Sequence, residues 1–369
     1  MTKSLTKQWL SGMKALWQPS VQSLSRELAV ASAPLAELFE PITEPAAAPV
    51  ARPASRVRPR EADWAAGTWT RAEFPLPAVP GRRTASLAYG LYIPSTRPAQ
   101  GMPLVVMLHG CTQNIDQFSL GTRMNLLADQ HGFAVLYPEQ SLLNHLHGCW
   151  QWYDENEHAG LGEARAVDEL VGMLVHHHGF DARRVHVAGL SAGAGLASLL
   201  ALHFPRRFAS VALHSGPAFG EARNGVMAMD VMRRGLRQAP ATVVDELFEP
   251  GSHPGMPALI IHGTDDAVVV PQNGEQLAAQ FLRLNQMTDK RGALRGGQRI
   301  ESHEGGVKSR DYRRGDRSVV RLCMIDGLGH AWSGGDDAAP FHDAHSPDAS
   351  AMIWQFFRDA GPGAWSARA

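Results

Sequence analysis

The pentapeptide Gly189-Leu190-Ser191-Ala192-Gly193 follows the apolar run Arg184-Val185-His186-Val187-Ala188 and precedes an Ala/Leu-rich stretch reaching Phe204. This placement constrains the chain more than any other feature. A buried strand that turns at once into a helix, with small glycines flanking a serine, lifts the hydroxyl out of the edge of a sheet. A phosphate-binding loop fits poorly, because no Gly-Lys-Ser/Thr follows the glycines. A plain glycine-rich turn is the reading without chemistry.

The surroundings supply the sheet. From about Arg82, apolar runs of strand length (85–93, 104–108, 133–137, 185–190, 210–213, 258–261 and 319–325) alternate with helical stretches (124–131, 161–178, 192–204, 274–286 and 349–360). Such alternation predicts an α/β fold, a mostly parallel central sheet with helices on both faces, and an active site at the carboxyl ends of its strands. Residues 1–80 differ and are read as an N-terminal extension before a catalytic domain at 81–369. Within the extension, Leu5, Trp9, Met13, Leu16 and Trp17 recur at helical spacing, and 40–60 is an Ala/Pro/Arg-rich linker.

Composition removes several classes of function. With 44% hydrophobic and 19% charged residues the chain can build a core. A formal net charge of −1 gives no general attraction to nucleic acid or an anionic membrane. Residues 185–205 lack Asp, Glu, Lys and Arg, yet His186, Gly189, Ser191, Gly193, Gly195 and Ser198 break the run, so it reads as the heart of a soluble fold rather than a transmembrane span. Lys3, Lys7 and Lys14 interrupt any signal-peptide pattern in residues 1–19, which favours a cytoplasmic location. Three cysteines (Cys111, Cys149 and Cys323) are too few for a disulfide scaffold or a four-cysteine zinc site. His176, His177 and His178 close a helix with no cysteine or carboxylate cluster beside them, and neither metal nor cofactor is expected.

A serine hydroxyl needs a histidine to take its proton, and that histidine needs a carboxylate to fix its tautomer. On this fold the chain order is serine, acid, histidine. His262-Gly263-Thr264-Asp265-Asp266 follows the strand at 258–261 and offers Asp266 as the acid, with Asp265 as its competitor. Asp326-Gly327-Leu328-Gly329-His330 follows the strand at 319–325 and offers His330 as the general base. Oxyanion donors are expected from the Cys111 amide, after Leu108-His109-Gly110, and from Ala192, which follows the nucleophile. Cys111 lies in no Cys-His-Asn context, so its amide rather than its thiol is expected to matter, and Cys149 is a candidate bonding partner. Trp150, Trp152 and Trp332 either line the substrate cleft or pack in the core.

Taken together, Leu-His-Gly-Cys-Thr-Gln, Cys-Trp-Gln-Trp, Gly-Leu-Ser-Ala-Gly, His-Gly-Thr-Asp-Asp-Ala-Val-Val and Gly-His-Ala-Trp-Ser-Gly-Gly resemble the polyhydroxybutyrate depolymerase family of esterases, which includes feruloyl and acetylxylan esterases. The resemblance runs from about Arg82 to Ala360. It implies an α/β-hydrolase fold that cleaves carboxylic esters, with Ser191, Asp266 and His330 matching the family's triad and Cys111 its oxyanion position. The expected partner is therefore an ester: hydroxyalkanoate polymer or oligomer, or a short acyl or aryl ester. Competing readings are a feruloyl or acetylxylan-type esterase, a peptidase on the same fold, and a catalytically silent granule-binding protein. The chain departs from the secreted form of the family in its Ala/Pro-rich extension, whose residues 1–20 could contact a hydrophobic surface or granule.

Overall fold

The computed structural model describes residues 65–360 apart from Glu155, Glu157 and His158. The apolar stripe at Leu5 to Trp17 and the linker at 40–60 lie outside the described residues.

Strands β3 (Leu104–Leu108), β4 (Ala134–Glu139), β5 (Val185–Leu190), β6 (Ser210–His214) and β7 (Ala258–Gly263) are buried almost throughout. Covered on both faces, they read in sequence as unbroken apolar runs rather than as alternating ones. Together with β10 (Arg317–Ile325) they form a parallel heart in the order β4-β3-β5-β6-β7-β10. Antiparallel pairs extend it at each edge. β2 (Ser86–Ile93) joins β4, and β1 (Thr68–Pro75) joins β2. At the far side, β8 (Gln298–Glu304) and β9 (Val307–Arg314) form a hairpin against β10.

β1 corrects the expected domain boundary. It lies inside the stretch assigned to the extension, yet it belongs to the main sheet, and the catalytic unit begins before residue 68 rather than at 81. Its residues are half-exposed and carry charges, so no hydrophobic run announced it.

Helices α1 (Ile115–Thr122) and α2 (Met124–His131) lie between β3 and β4, and α3 (Gly160–His178) between β4 and β5. α4 (Ala192–His203) follows β5 after a single residue, Ser191, and is buried nearly all round. α5 (Gly225–Arg234) and α6 (Pro240–Leu247) separate β6 from β7, and α7 (Gln272–Leu284) follows β7. α8 (Ala349–Ala360) contributes Ile353, Phe356 and Phe357 to a core shared with Ala188, Leu190, Ala212 and Ile261 of the parallel strands. The charge-free run at 185–205 is thus β5, the serine and α4. Among the described residues no helix is long and apolar enough to cross a membrane.

Candidate active site

Ser191, directly after β5, has φ 57° and ψ −119°, a region that L-residues rarely occupy. The flanking glycines explain how the turn closes. A Cβ on Gly189 would lie 2.3 Å from the backbone of Gly193, and one on Gly193 would lie 2.1 Å from the carbonyl of Leu108. Any side chain at either position would push the helix away from the sheet. The Ser191 amide donates to the carbonyl of His214, 2.9 Å away at the end of the adjacent β6. Ala192 opens α4, where amides at a helix start point outward and carry partial positive charge.

The loop after β3 lies against this turn: a Cβ on Gly110 would sit 3.5 Å from Ser191 Cβ. Its next residue, Cys111, is bonded to Cys149, which rules out a free thiol there. The Thr112 amide also donates to His147, at 2.7 Å, so the segment after β4 is clamped to the loop after β3. Fully buried His109 reinforces the clamp, accepting the Gln140 amide at Nε2 and donating from Nδ1 to the Gly110 carbonyl. Desolvation lowers its pKa and keeps it neutral, as accepting at Nε2 requires.

Asp266 and His330, 64 residues apart in the chain, meet at 2.8 Å between Oδ2 and Nδ1. The other carboxylate oxygen, Oδ1, accepts the Val268 and Val269 amides, each at 2.9 Å, so the carboxylate has a single orientation. Burial alone would raise its pKa. The charge and hydrogen bond of His330, with His262 and the Val269 amide, outweigh that and hold the group below the usual carboxylate range. His262, at the end of β7, donates from Nε2 to the Val269 carbonyl at 2.8 Å and lies 3.5 Å from Asp266 Oδ2. Asp265, by contrast, is exposed and accepts from Thr264 Oγ1. The two neighbouring carboxylates face opposite environments.

The three tryptophans are buried. Trp332 is fully buried, edge-on to Phe118 and stacked on His214, with its indole N–H donating to Ser350 Oγ. Trp150 is buried beside His109. Trp152 packs so closely on α4 that a Cβ at Gly195 would fall 2.4 Å from its ring. Trp332 and Trp152 brace the loops from beneath, because rings of this size complete the core where strands end, while Trp150 borders a small cavity with Gln140 and Glu163. Sequence reading missed His214, His262, His109 and Ser333. None lies in a motif that names its role, although His262 and His109 stand at strand ends beside residues that do.

A mostly parallel sheet, a strained serine between strand and helix, and a buried acid–histidine pair beyond later strands of that sheet define an α/β-hydrolase fold, and its relatives make the chain a carboxylic ester hydrolase. The chain belongs to the esterase PHB depolymerase family, whose model matches residues 87–304. It is 30% identical over 260 residues to poly(3-hydroxyalkanoate) depolymerase C of Paucimonas lemoignei, covering 68% of this chain but only 59% of that protein. It is 29% identical over 268 residues to feruloyl esterase B of Thermothelomyces thermophilus, covering 68% of this chain and 85% of that one. Among solved structures, an acetyl xylan esterase from Aspergillus awamori superposes with a TM-score of 0.58 at 18% identity, over 78% of this chain and 99% of its own, a likeness of fold.

Proposed function

We propose that the chain is a serine esterase acting through an acyl-enzyme. Ser191 Oγ attacks the ester carbonyl while His330 takes its proton. His330 then gives that proton to the departing alcohol; water, deprotonated by His330 in turn, attacks the acyl carbon, and the bond to Ser191 breaks as His330 returns the proton to Oγ, releasing the acid. Asp266 fixes the His330 tautomer, and the amides of Cys111 and Ala192 receive the oxyanion. The observation that carries this reading is the 2.8 Å bond between His330 and the buried Asp266 carboxylate. No step calls on a metal.

For substrate, we propose hydroxyalkanoate polymer or oligomer, in line with the Paucimonas relative. A second reading, short aryl or acyl esters, draws support from the fuller coverage of the feruloyl esterase. Assaying p-nitrophenyl acetate, methyl ferulate and amorphous polyhydroxybutyrate side by side separates them. Turnover of the polymer supports the first, turnover of the ferulate alone the second, and no turnover of any ester overturns both. The Cys111–Cys149 bond supports work in an oxidising compartment, where such bonds persist, rather than in the cytoplasm expected from residues 1–19. Differential thiol alkylation of the native protein checks this: two alkylated residues at 111 and 149 without prior reduction would restore the cytoplasmic reading.

A further inference from the structure

We infer that His214 is a positioning residue that holds the nucleophile turn and the His330 loop in one register, an inference that rests on the triad reading above. His214 is the last residue of β6, paired with Leu190 on β5 and Ile261 on β7. Its main-chain carbonyl takes the Ser191 amide at 2.9 Å. Its side chain serves the other partner: Nε2 accepts the amide of Ser333, three residues beyond His330, at 3.2 Å. The ring stacks on Trp332 between the two, with centroids 5.1 Å apart and planes 23° apart. One residue thus joins loops that are more than a hundred positions apart in the chain.

The His330 loop is held at both ends. Before the histidine, the Gly327 amide donates to Thr264 Oγ1 at 2.8 Å, the Leu328 carbonyl takes the Asp265 amide at 3.0 Å and the Leu328 side chain is buried. After it, the loop is held by the residues that follow. There the Trp332 amide donates to Phe341, its indole donates to Ser350, and Ser333 donates to His214. Errors of about 1 Å in such an arrangement cost roughly 10²-fold in rate, so a fixed loop end matters to chemistry and not only to folding.

The imidazole is built for this role in one protonation state. Accepting at Nε2 places its proton on Nδ1, which donates to Ser215 Oγ at 3.2 Å. The titratable groups facing it are His262, His330 and His342, which disfavour its protonation, and Asp266, which favours it. Burial dominates and carries the pKa down to about 3. A neutral His214 leaves the Asp266 charge to His330, the group that becomes cationic during the reaction.

Two variants test the inference. His214→Phe keeps the ring and the Trp332 stack but removes the acceptor, whereas His214→Gln offers an amide oxygen near the place of Nε2. Turnover of p-nitrophenyl acetate is measured per active serine, titrated with diethyl p-nitrophenyl phosphate, alongside thermal melting. His214→Phe should lower kcat about 10²-fold with KM within twofold of the parent, and His214→Gln should recover to within about fivefold. The acid limb of kcat/KM should not move in either. Phe turnover per titrated serine equal to the parent's, a Gln variant no better than Phe at equal melting temperature, or a shifted acid limb would each overturn the inference. Should His214→Phe fail to fold, His214→Asn, whose shorter amide falls short of Ser333, replaces it under the same criteria. Failure of the triad reading shows separately, as a parent enzyme whose Ser191 is not labelled by the phosphate.

Discussion

The two halves of the active site are held by different parts of the chain. Ser191 and its neighbouring amides are set by main chain: a strand, a turn closed by Gly189 and Gly193, and a helix start. Asp266 and His330 sit on loops and are set by hydrogen bonds between side chains and main chain: the carboxylate's two backbone donors, His262 on the Val269 carbonyl, and the Ser333–His214 tie. The first half should resist the loss of polar side chains around it yet fail if a glycine gains a Cβ. The second should accept changes of volume but fail when a buried donor or acceptor loses its partner.

The largest effect expected is that of Ser191→Ala, which should lower kcat by at least about 10⁵-fold while the protein melts normally, as removal of the nucleophile does in other serine hydrolases. Near-normal ester turnover by the folded variant would remove Ser191 from the chemistry. Asp266→Asn should follow at about 10⁴-fold, because an amide at that site favours the wrong imidazole tautomer, whereas Asp265→Asn should stay within about threefold. The opposite ranking in kcat would move the acid to the exposed neighbour and dissolve the contrast between the halves.

Replacing both Cys111 and Cys149 by Ser tests whether the main-chain half needs its cross-link. Opening a loop of 38 residues should cost about 4 kcal/mol of stability in the chain-entropy model, read by denaturant unfolding. Activity should fall less than about tenfold, because β3 and the Thr112–His147 bond still hold the loop. A loss of 10²-fold or more, the usual effect of removing an oxyanion donor, would show that the disulfide and not the sheet places the Cys111 amide.

His186, the second residue of β5, should affect stability alone. It is stacked on Phe357 and bonded to Ser210, and burial lowers its pKa to about 3. Below about pH 6.5 the unfolded chain binds a proton there that the folded chain does not, so this contribution is complete above that pH and drains away as pH falls toward 3. At pH 5 the loss is about 2 kcal/mol. His186→Phe should lessen the drop in unfolding free energy between pH 7.5 and 5 by about that amount, with kcat unchanged; an unaltered pH dependence would mean that the imidazole is protonated in the folded state.

What could be read from sequence follows from the same division. β3, β5, β6 and β7 were visible because burial on both faces leaves no room for polar residues. β1, with Arg71 and Glu73, and the β8–β9 hairpin, with sequences Gln-Arg-Ile-Glu-Ser-His-Glu and Val-Lys-Ser-Arg-Asp-Tyr-Arg-Arg, were not, since edge strands owe their pairing to backbone hydrogen bonds and little to apolar content. The places of Ser191, Asp266 and His330 beyond β5, β7 and β10 were legible because each stands in a glycine-marked loop after a strand; the roles proposed for them rest on chemistry. His214 was not, because its meaning lies in a contact with Ser333, 119 positions away. The tryptophans stayed ambiguous for a related reason: an aromatic near such a motif has the same spelling whether it faces the cleft or the core.

The backbone torsion at Ser191 has a consequence for the protein's thermodynamic economy. A φ of 57° with ψ of −119° suits glycine and strains every other residue by about 1–3 kcal/mol, partly offset by glycine's greater freedom in the unfolded chain. Ser191→Gly should therefore unfold at higher denaturant than Ser191→Ala by about 1 kcal/mol, although both are inactive; equal midpoints would mean that the turn relaxes in solution. A fold maintained only for binding would drift toward that glycine, since selection for stability alone has no reason to keep a hydroxyl there. The strained residue that follows β5 is thus a point where folding and turnover pull the sequence in opposite directions.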